Sequence, residues 1–366
     1  MQVDTDQRPF VLIWELTQAC DLACKHCRAD AIDERHPDEL TTEEAKRFLE
    51  DVSEFGEGQL LVLSGGDPVY RDDTLELIEH GRACGLRITI TPSGTNSLTP
   101  SMVDGLAETG IRRMALSFDG AAAGAHDGFR EEEGSFEQTI RAAKAAQEAD
   151  IPLQINTTVC RETVDELPQL SELVEQLEAV LWSVFFLVPV GRGMAIDPLS
   201  PWEAEDVMVW LAELEETAPF GIKTTEAPQY RRVRAQQQTG PHAAATDGIG
   251  RSTGIIAGDG FAFVSHLGEV YPSGFLPRSV GNVRDTSIVE LYRNTPLMRS
   301  LRDRDSLVGK CGRCEFRYLC GGSRSRAYAY TGDPLESDPL CPYRPDGFTG
   351  ELPKQHFSFD LPESTG

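Results

Sequence analysis

Lysine is scarce. Only 6 of the 34 basic residues are lysines, leaving 28 arginines, and 59 acidic residues outnumber both together. The formal charge of −25 repels phosphate backbones and anionic headgroups, which excludes nucleic acid and anionic membrane surfaces as partners. An acidic, lysine-poor surface suits concentrated salt, where like-charge repulsion is screened, and predicts a halophilic habitat. Long apolar runs are missing as well. The longest, LWSVFFLVPVG, falls well short of the roughly 20 residues that a bilayer span needs. The N-terminal MQVDTDQRPF has neither the basic segment nor the apolar core of a signal peptide, so the expectation is a soluble, cytoplasmic chain. Its 366 residues, 40% hydrophobic, suffice for a full core and a smaller second domain.

Nine cysteines without a secretion signal argue for metal or redox chemistry and against a disulfide framework. Cys84 and Cys160 stand alone and read as small buried hydrophobes. Cys20, Cys24 and Cys27, in CDLACKHC, have no fourth cysteine nearby. Structural zinc takes four ligands, so it fits poorly here. A [4Fe–4S] cube has four irons, and three thiolates leave one of them open to an exogenous ligand.

The first half of the chain alternates strand-like and helical runs. Strand candidates are 10–17, 59–64, 86–91, 112–118, 152–159 and 181–189. Between them lie amphipathic stretches such as TTEEAKRFLEDVSEF, where Thr41 and Glu44 form a capping box, and SFEQTIRAAKAAQEA. Six β/α units imply a parallel sheet wrapped by helices, with the active site at the C-terminal strand ends. CDLACKHC, SGGDP, PSGTN and SFDG follow the first four strands in order.

Residues 233–260, rich in Gln, Gly, Ala and Thr, read as a linker or mobile loop. FAFVSHLGEVYPSG then reads as a hairpin turning at Leu267 and Gly268, and TSIVELYRNTPLMRSLRD as a helix. Cys311, Cys314, Cys320 and Cys341 follow, a set of four thiols that would serve zinc or a closed iron–sulfur cube. The expected organisation is a barrel over 1–200, a helix and flexible linker over 201–260, a small metal-holding domain over 261–349 and a tail over 350–366.

The C-x3-C-x2-C spacing behind the first strand resembles that of the radical SAM superfamily. The resemblance implies a partial (β/α)6 barrel and a cluster whose open iron chelates S-adenosylmethionine (SAM). Reduction by an external donor such as ferredoxin or flavodoxin would then yield methionine and a 5′-deoxyadenosyl radical. SGGDP stands at the superfamily's Gly-Gly-Glu-Pro position, which implies backbone contact with SAM by Gly65, Gly66 and Asp67. Ser93, Asn96, Ser117, Asp119, Arg130, Asn156 and VPVGRG occupy places where relatives hold the ribose, adenine or carboxylate. His26 fills a slot that is often aromatic, near adenine or simply packed in the loop.

The second cysteine group resembles SPASM and twitch auxiliary domains, which implies an auxiliary [4Fe–4S] cluster able to accept an electron. Ser273 and Ser323 stand at or beside places where an extra cysteine often sits, so four ligands support one closed cluster. From WELTQACDLACKHCRADA to CGRCEFRYLCGGSRSRAYAYTGD the chain resembles the enzymes of alternative heme synthesis. That implies oxidative decarboxylation of iron-coproporphyrin III propionates to vinyl groups. A peptide-modifying maturase, an enzyme acting on another siroheme-derived tetrapyrrole and a non-catalytic metal protein are the alternatives. With nine residues ahead of the first strand, no peptide-clamping N-terminal domain is expected. A tetracarboxylate macrocycle calls for arginines, because guanidinium pairs with carboxylate in bidentate fashion. Arg192, Arg231, Arg232, Arg234, Arg324 and Arg326 are the candidates, with Tyr230, Tyr328 and Tyr330 beside them.

Overall fold

The structure, a computed structural model, describes residues 3–237 and 254–351. Seven parallel strands lie side by side in chain order: β1 (Val11–Thr17), β2 (Leu60–Gly65), β3 (Arg87–Ile90), β4 (Met114–Ser117), β5 (Leu153–Val159), β6 (Leu181–Phe186) and β7 (Gly221–Thr225). The connecting helices are α1 (Thr42–Ser53), α2 (Thr74–Ala83), α3 (Pro100–Thr109), α4 (Ala123–Arg130), α5 (Ser135–Glu148), α6 (Leu167–Gln176) and α7 (Pro201–Leu214). This is a partial β/α barrel, the helix-wrapped parallel sheet that the alternation of strand-like and helical runs implied.

Each strand has two unlike faces. On β1, Leu12, Trp14 and Leu16 are fully buried in the core shared with the helices, whereas Val11 and Ile13 face inward and are only half covered. Helix α1 begins as its sequence dictates. Thr41 accepts from the Glu44 N–H, and the Glu44 carboxylate accepts from the Thr41 N–H.

All six expected strands are present, and the sixth ends at Phe186, ahead of Pro189. The seventh, β7, lies within 201–260, where a helix and linker were expected. Its sequence GIKTT carries one apolar residue, Ile222, too few to display a period of two. Helix α8 (Gln229–Gln237) follows it, and most of the expected linker, 238–253, lies outside the described residues. So do residues 352–366 of the expected tail.

The C-terminal region opens with β8 (Ile256–Ala257), β9 (Gly260–Val264), β10 (Glu269–Tyr271) and β11 (Gly281–Asn282). Strands β9 and β10 form the expected hairpin, with Gly268 at φ +83 in the turn. β9 also pairs in parallel with β1, from Val11↔Phe261 to Trp14↔Val264, so this region extends the barrel's own sheet. The single helix expected over 286–303 is two, α9 (Ile288–Asn294) and α10 (Pro296–Arg302). Pro296 has no N–H to continue the first and suits the start of the second. α11 (Gly309–Arg313) and α12 (Arg324–Thr331) complete it. Among the described residues no helix is long and apolar enough to cross a membrane.

Candidate active site at the strand ends

The loop after β1 gathers its thiols. Cys20, Leu22 and Cys24 pack as one buried cluster, with Cys27 and Ala31 against it. Polar groups meet each sulfur. Ser93 Oγ lies 3.2 Å and the Leu22 N–H nitrogen 3.4 Å from Cys20 Sγ, Arg130 Nη1 lies 3.6 Å from Cys24 Sγ, and the Ala31 nitrogen lies 3.5 Å from Cys27 Sγ. Burial pushes the Cys20 thiol up to about 12, with Ser93 and the Leu22 N–H pulling against it. Burial raises Cys24 too, against the opposing charge of Arg130. Thiols so enclosed stay protonated unless a metal takes the proton's place. Hydrogen-bond donors at each sulfur would suit thiolates that hold an iron–sulfur cluster.

Glycines bring two further loops onto this one. A Cβ on Gly65 would lie 2.3 Å from the Thr17 carbonyl oxygen, and one on Gly66 2.2 Å from that of Ala19. Their absence lets Gly66 N–H bond to Thr17 O at 2.8 Å and Asp67 N–H to Ala19 O at 2.6 Å. Gly191, in VPVGRG, likewise sits where a Cβ would meet the carbonyl oxygens of Cys27 and Arg28 at 2.6 Å. The Asp67 side chain is buried and accepts from the Val69 N–H and from the hydroxyls of Thr95 and Ser97, so it serves the loop after β3. Ser93 donates to Gly66 O at 2.9 Å, while Asn96 is exposed.

Arg130 is not free to meet a ligand's carboxylate. Its guanidinium spans Asp119, 2.6 Å away, and Cys24. His26 stacks on Phe129 with ring centroids 4.8 Å apart, and burial holds its pKa down to about 4. Ser117 and Asn156 are partners in register across β4 and β5 on the inner face. Arg192 is held by its backbone N–H on Cys27 O, yet its Nε and Nη2 are buried without a hydrogen-bond partner. Arg192 Nε lies 3.9 Å from Asp30, so Arg192 Nη2 and His26 Nδ1 are the unpaired buried donors that fit a polar ligand.

Several arginine candidates have other work. Arg324 is buried and donates to the carbonyls of Pro334 and Glu336, while Arg326 pairs with Asp338 and caps the carbonyls of Phe186 and Leu187. Arg232 pairs with Glu205 and lies 4.9 Å over the Tyr343 ring, and Arg234 pairs with Glu215 at 3.1 Å. Buried guanidinium demands such partners, and an acidic chain supplies them. Tyr230 is buried and bonds Glu215, Tyr328 is half-buried, and Tyr330 is exposed.

Cys311, Cys314, Cys320 and Cys341 line one cavity with Arg232 and Tyr343. Cys311 Sγ accepts from the Asp338 N–H at 3.5 Å and Arg324 Nη2 at 3.6 Å, and Cys320 Sγ from the Gly322 N–H at 3.4 Å. Burial pushes Cys341 up to about 12. Among the described residues no three His, Cys, Asp or Glu side chains stand close enough together to hold a single ion. Ser273 and Ser323 both donate to Glu226, as does Ser325 at 2.8 Å. Glu226 had no signal in the sequence beyond its place after a short strand that was itself missed.

The family description "Radical SAM superfamily" matches residues 14–174. The chain is 42% identical over 341 residues to AdoMet-dependent heme synthase of Methanosarcina barkeri, covering 92% of this chain and 97% of that protein. It is 38% identical over 345 residues to AdoMet-dependent heme synthase of Nitratidesulfovibrio vulgaris, covering 93% and 94%. Among solved structures it resembles Streptococcus suis SuiB bound to S-adenosylmethionine, with a TM-score of 0.72 at 16% identity over 92% of this chain and 78% of that one.

Proposed function

The chain belongs to the radical SAM superfamily, and from that premise we propose that this enzyme decarboxylates two propionates of iron-coproporphyrin III to the vinyl groups of heme b. The observation that carries the reading is the 42% identity to an AdoMet-dependent heme synthase across nearly the whole of both chains. Cys20, Cys24 and Cys27 are assigned to a [4Fe–4S] cluster with SAM at its open iron, and Cys311, Cys314, Cys320 and Cys341 to a closed auxiliary cluster. When bound, the first cluster and SAM supply a carbon-centred radical that removes one hydrogen atom from the substrate.

The chain's own residues hold and enclose. Ser93, Arg130 and the N–H groups of Leu22 and Ala31 steady the three sulfurs. Gly65, Gly66 and the Asp67 backbone bring the β2 loop against the cysteine loop, while Ser117 and Asn156 offer polar contacts on the inner face. Arg192, anchored by its N–H on Cys27 O and with Nε 3.9 Å from Asp30, leaves Nη2 without a hydrogen-bond partner, suited to a carboxylate. Positioning of the propionate β-carbon and exclusion of water are thereby the protein's share of the catalysis. An external ferredoxin or flavodoxin is the proposed reductant, and the cytoplasm the proposed location.

Anaerobically reconstituted enzyme incubated with SAM, reductant and iron-coproporphyrin III should yield heme b, read by mass spectrometry. SAM cleavage that leaves the porphyrin unchanged would remove this substrate from consideration.

A further inference from the structure

The inner face of the sheet carries two cations that the site above does not use. Ile222 is buried in the core between sheet and helices, so its neighbour Lys223 faces the other way, into the barrel. The register Ser117↔Asn156↔Ser183↔Lys223 sets it in one row with the polar residues of β4, β5 and β6. Arg113 directly precedes β4, whose Met114 is buried in the same core, and so points inward as well. It donates to Gln154 Oε1 at 3.0 Å, and the Gln154 amide in turn donates to Asn156 Oδ1 at 2.7 Å.

Neither cation has a carboxylate partner among the described residues, in a chain with 59 acidic side chains against 34 basic ones. Arg113 Nε is buried with no hydrogen-bond partner. Lys223 is exposed, and the protein around it together with the Arg113 charge lowers its ammonium's pKa from the ordinary lysine value. Arg113 also feels the charges of Arg112 and Arg87, and like charges without a counter-ion raise one another's energy, which a bound anion relieves. Half-covered Ile13, Val62, Leu181 and Phe185 supply an apolar wall on the same face.

We propose that Lys223 and Arg113 form a carboxylate-binding subsite on the inner face of the barrel that receives one acidic side chain of the substrate. The naming of that side chain as a propionate rests on the tetrapyrrole reading above; the subsite itself does not. Asn156 and Gln154 couple it to the row of residues that faces the cofactor end, so a carboxylate seated here fixes how deep the substrate lies.

With only 6 lysines in the chain, reductive methylation with 13C-formaldehyde gives a resolvable NMR spectrum of the holoenzyme, and Lys223→Met assigns the Lys223 signal. Metal-free coproporphyrin III and succinate are the two probes. Either should shift the Lys223 signal and raise its titration midpoint, and Lys223→Met should raise KM for the porphyrin roughly ten- to hundredfold, the range of a charge-assisted hydrogen bond. A shift with succinate, with coproporphyrin failing to bind at all by its unchanged Soret band, would keep the subsite and overturn the tetrapyrrole reading. Coproporphyrin that binds, by a change in its Soret band, but leaves the Lys223 signal unmoved would refute the subsite and spare that reading. A signal that neither probe moves refutes the subsite.

Discussion

Arg130 serves two partners with one guanidinium, 2.6 Å from the Asp119 carboxylate and 3.6 Å from Cys24 Sγ. Asp119 is buried, and although burial favours its neutral form, Arg130 and His26 keep its pKa below the ordinary carboxylate value. Arg130→Ala strands that carboxylate, a loss on the order of 3–5 kcal/mol for a broken buried pair. The variant should melt earlier and carry less iron in the N-terminal site, read by calorimetry and iron counting. Wild-type stability and iron with weaker SAM binding would return Arg130 to the ligand-holding role that its sequence position suggests. Replacing Cys20, Cys24 or Cys27 by Ala should abolish 5′-deoxyadenosine formation and remove about one cluster's iron, because a cube open at one corner has no spare thiolate. Continued SAM cleavage in any of the three variants would sink the ligand assignment. The thiols were legible because spacing along the chain is enough to group them. The Arg130–Cys24 contact was not, because 106 residues separate its partners.

At the level of elements, local signals were readable and long-range ones were not. The Thr41–Glu44 capping box of α1 stands as its sequence implies. Arg284, 240 residues away, also grips the Glu44 carboxylate at 2.8 Å, which no local pattern announces. The Arg284 hydrogen bond, then the Thr41 N–H, hold the Glu44 pKa down to about 2 from its usual 4.5. A depressed carboxylate contributes its stability above the unfolded value, and loses it as pH falls from 4.5 toward 2. Glu44→Ala should therefore cost about 1 kcal/mol at neutral pH, the worth of a cap, and progressively less below pH 4. Urea midpoints at pH 7 and pH 3 make the comparison; an equal loss at both would leave packing, and not the charge, as the cause. Strand β7 escaped the sequence reading for a related reason. With one apolar residue it owes its place to pairing with β6, from Leu181↔Gly221 to Phe185↔Thr225.

Across the whole molecule, the C-terminal region grips the barrel at both edges of its open side. β9 adds to β1 at one edge. Beyond the other, Glu226 follows β7 in a left-handed conformation, φ +57, that a non-glycine residue adopts only when its surroundings hold it there. Its carboxylate gathers Ser273, Ser323 and Ser325, and Arg326 bonds the Glu226 carbonyl at 2.8 Å. The sequence marked Ser273 and Ser323 as places without an extra thiol; only the fold reveals that a carboxylate unites them. This contact separates docking from metal holding. Glu226→Ala leaves three hydroxyls without their acceptor, at about 1–3 kcal/mol for each that stays buried and unpaired, but removes no ligand. It should keep wild-type iron, raise amide exchange around α12 and the end of β7, and cleave SAM while forming less product per SAM consumed. Cys314→Ser, by contrast, should lose about one cluster's iron, with circular dichroism showing whether the region still folds, since a closed site often supplies folding energy. Equal iron loss in the two variants would mean that docking on Glu226 is needed to assemble the auxiliary site. Unchanged coupling in a Glu226→Ala protein with raised exchange would show that the grip stabilises the molecule without aligning substrate and cofactor.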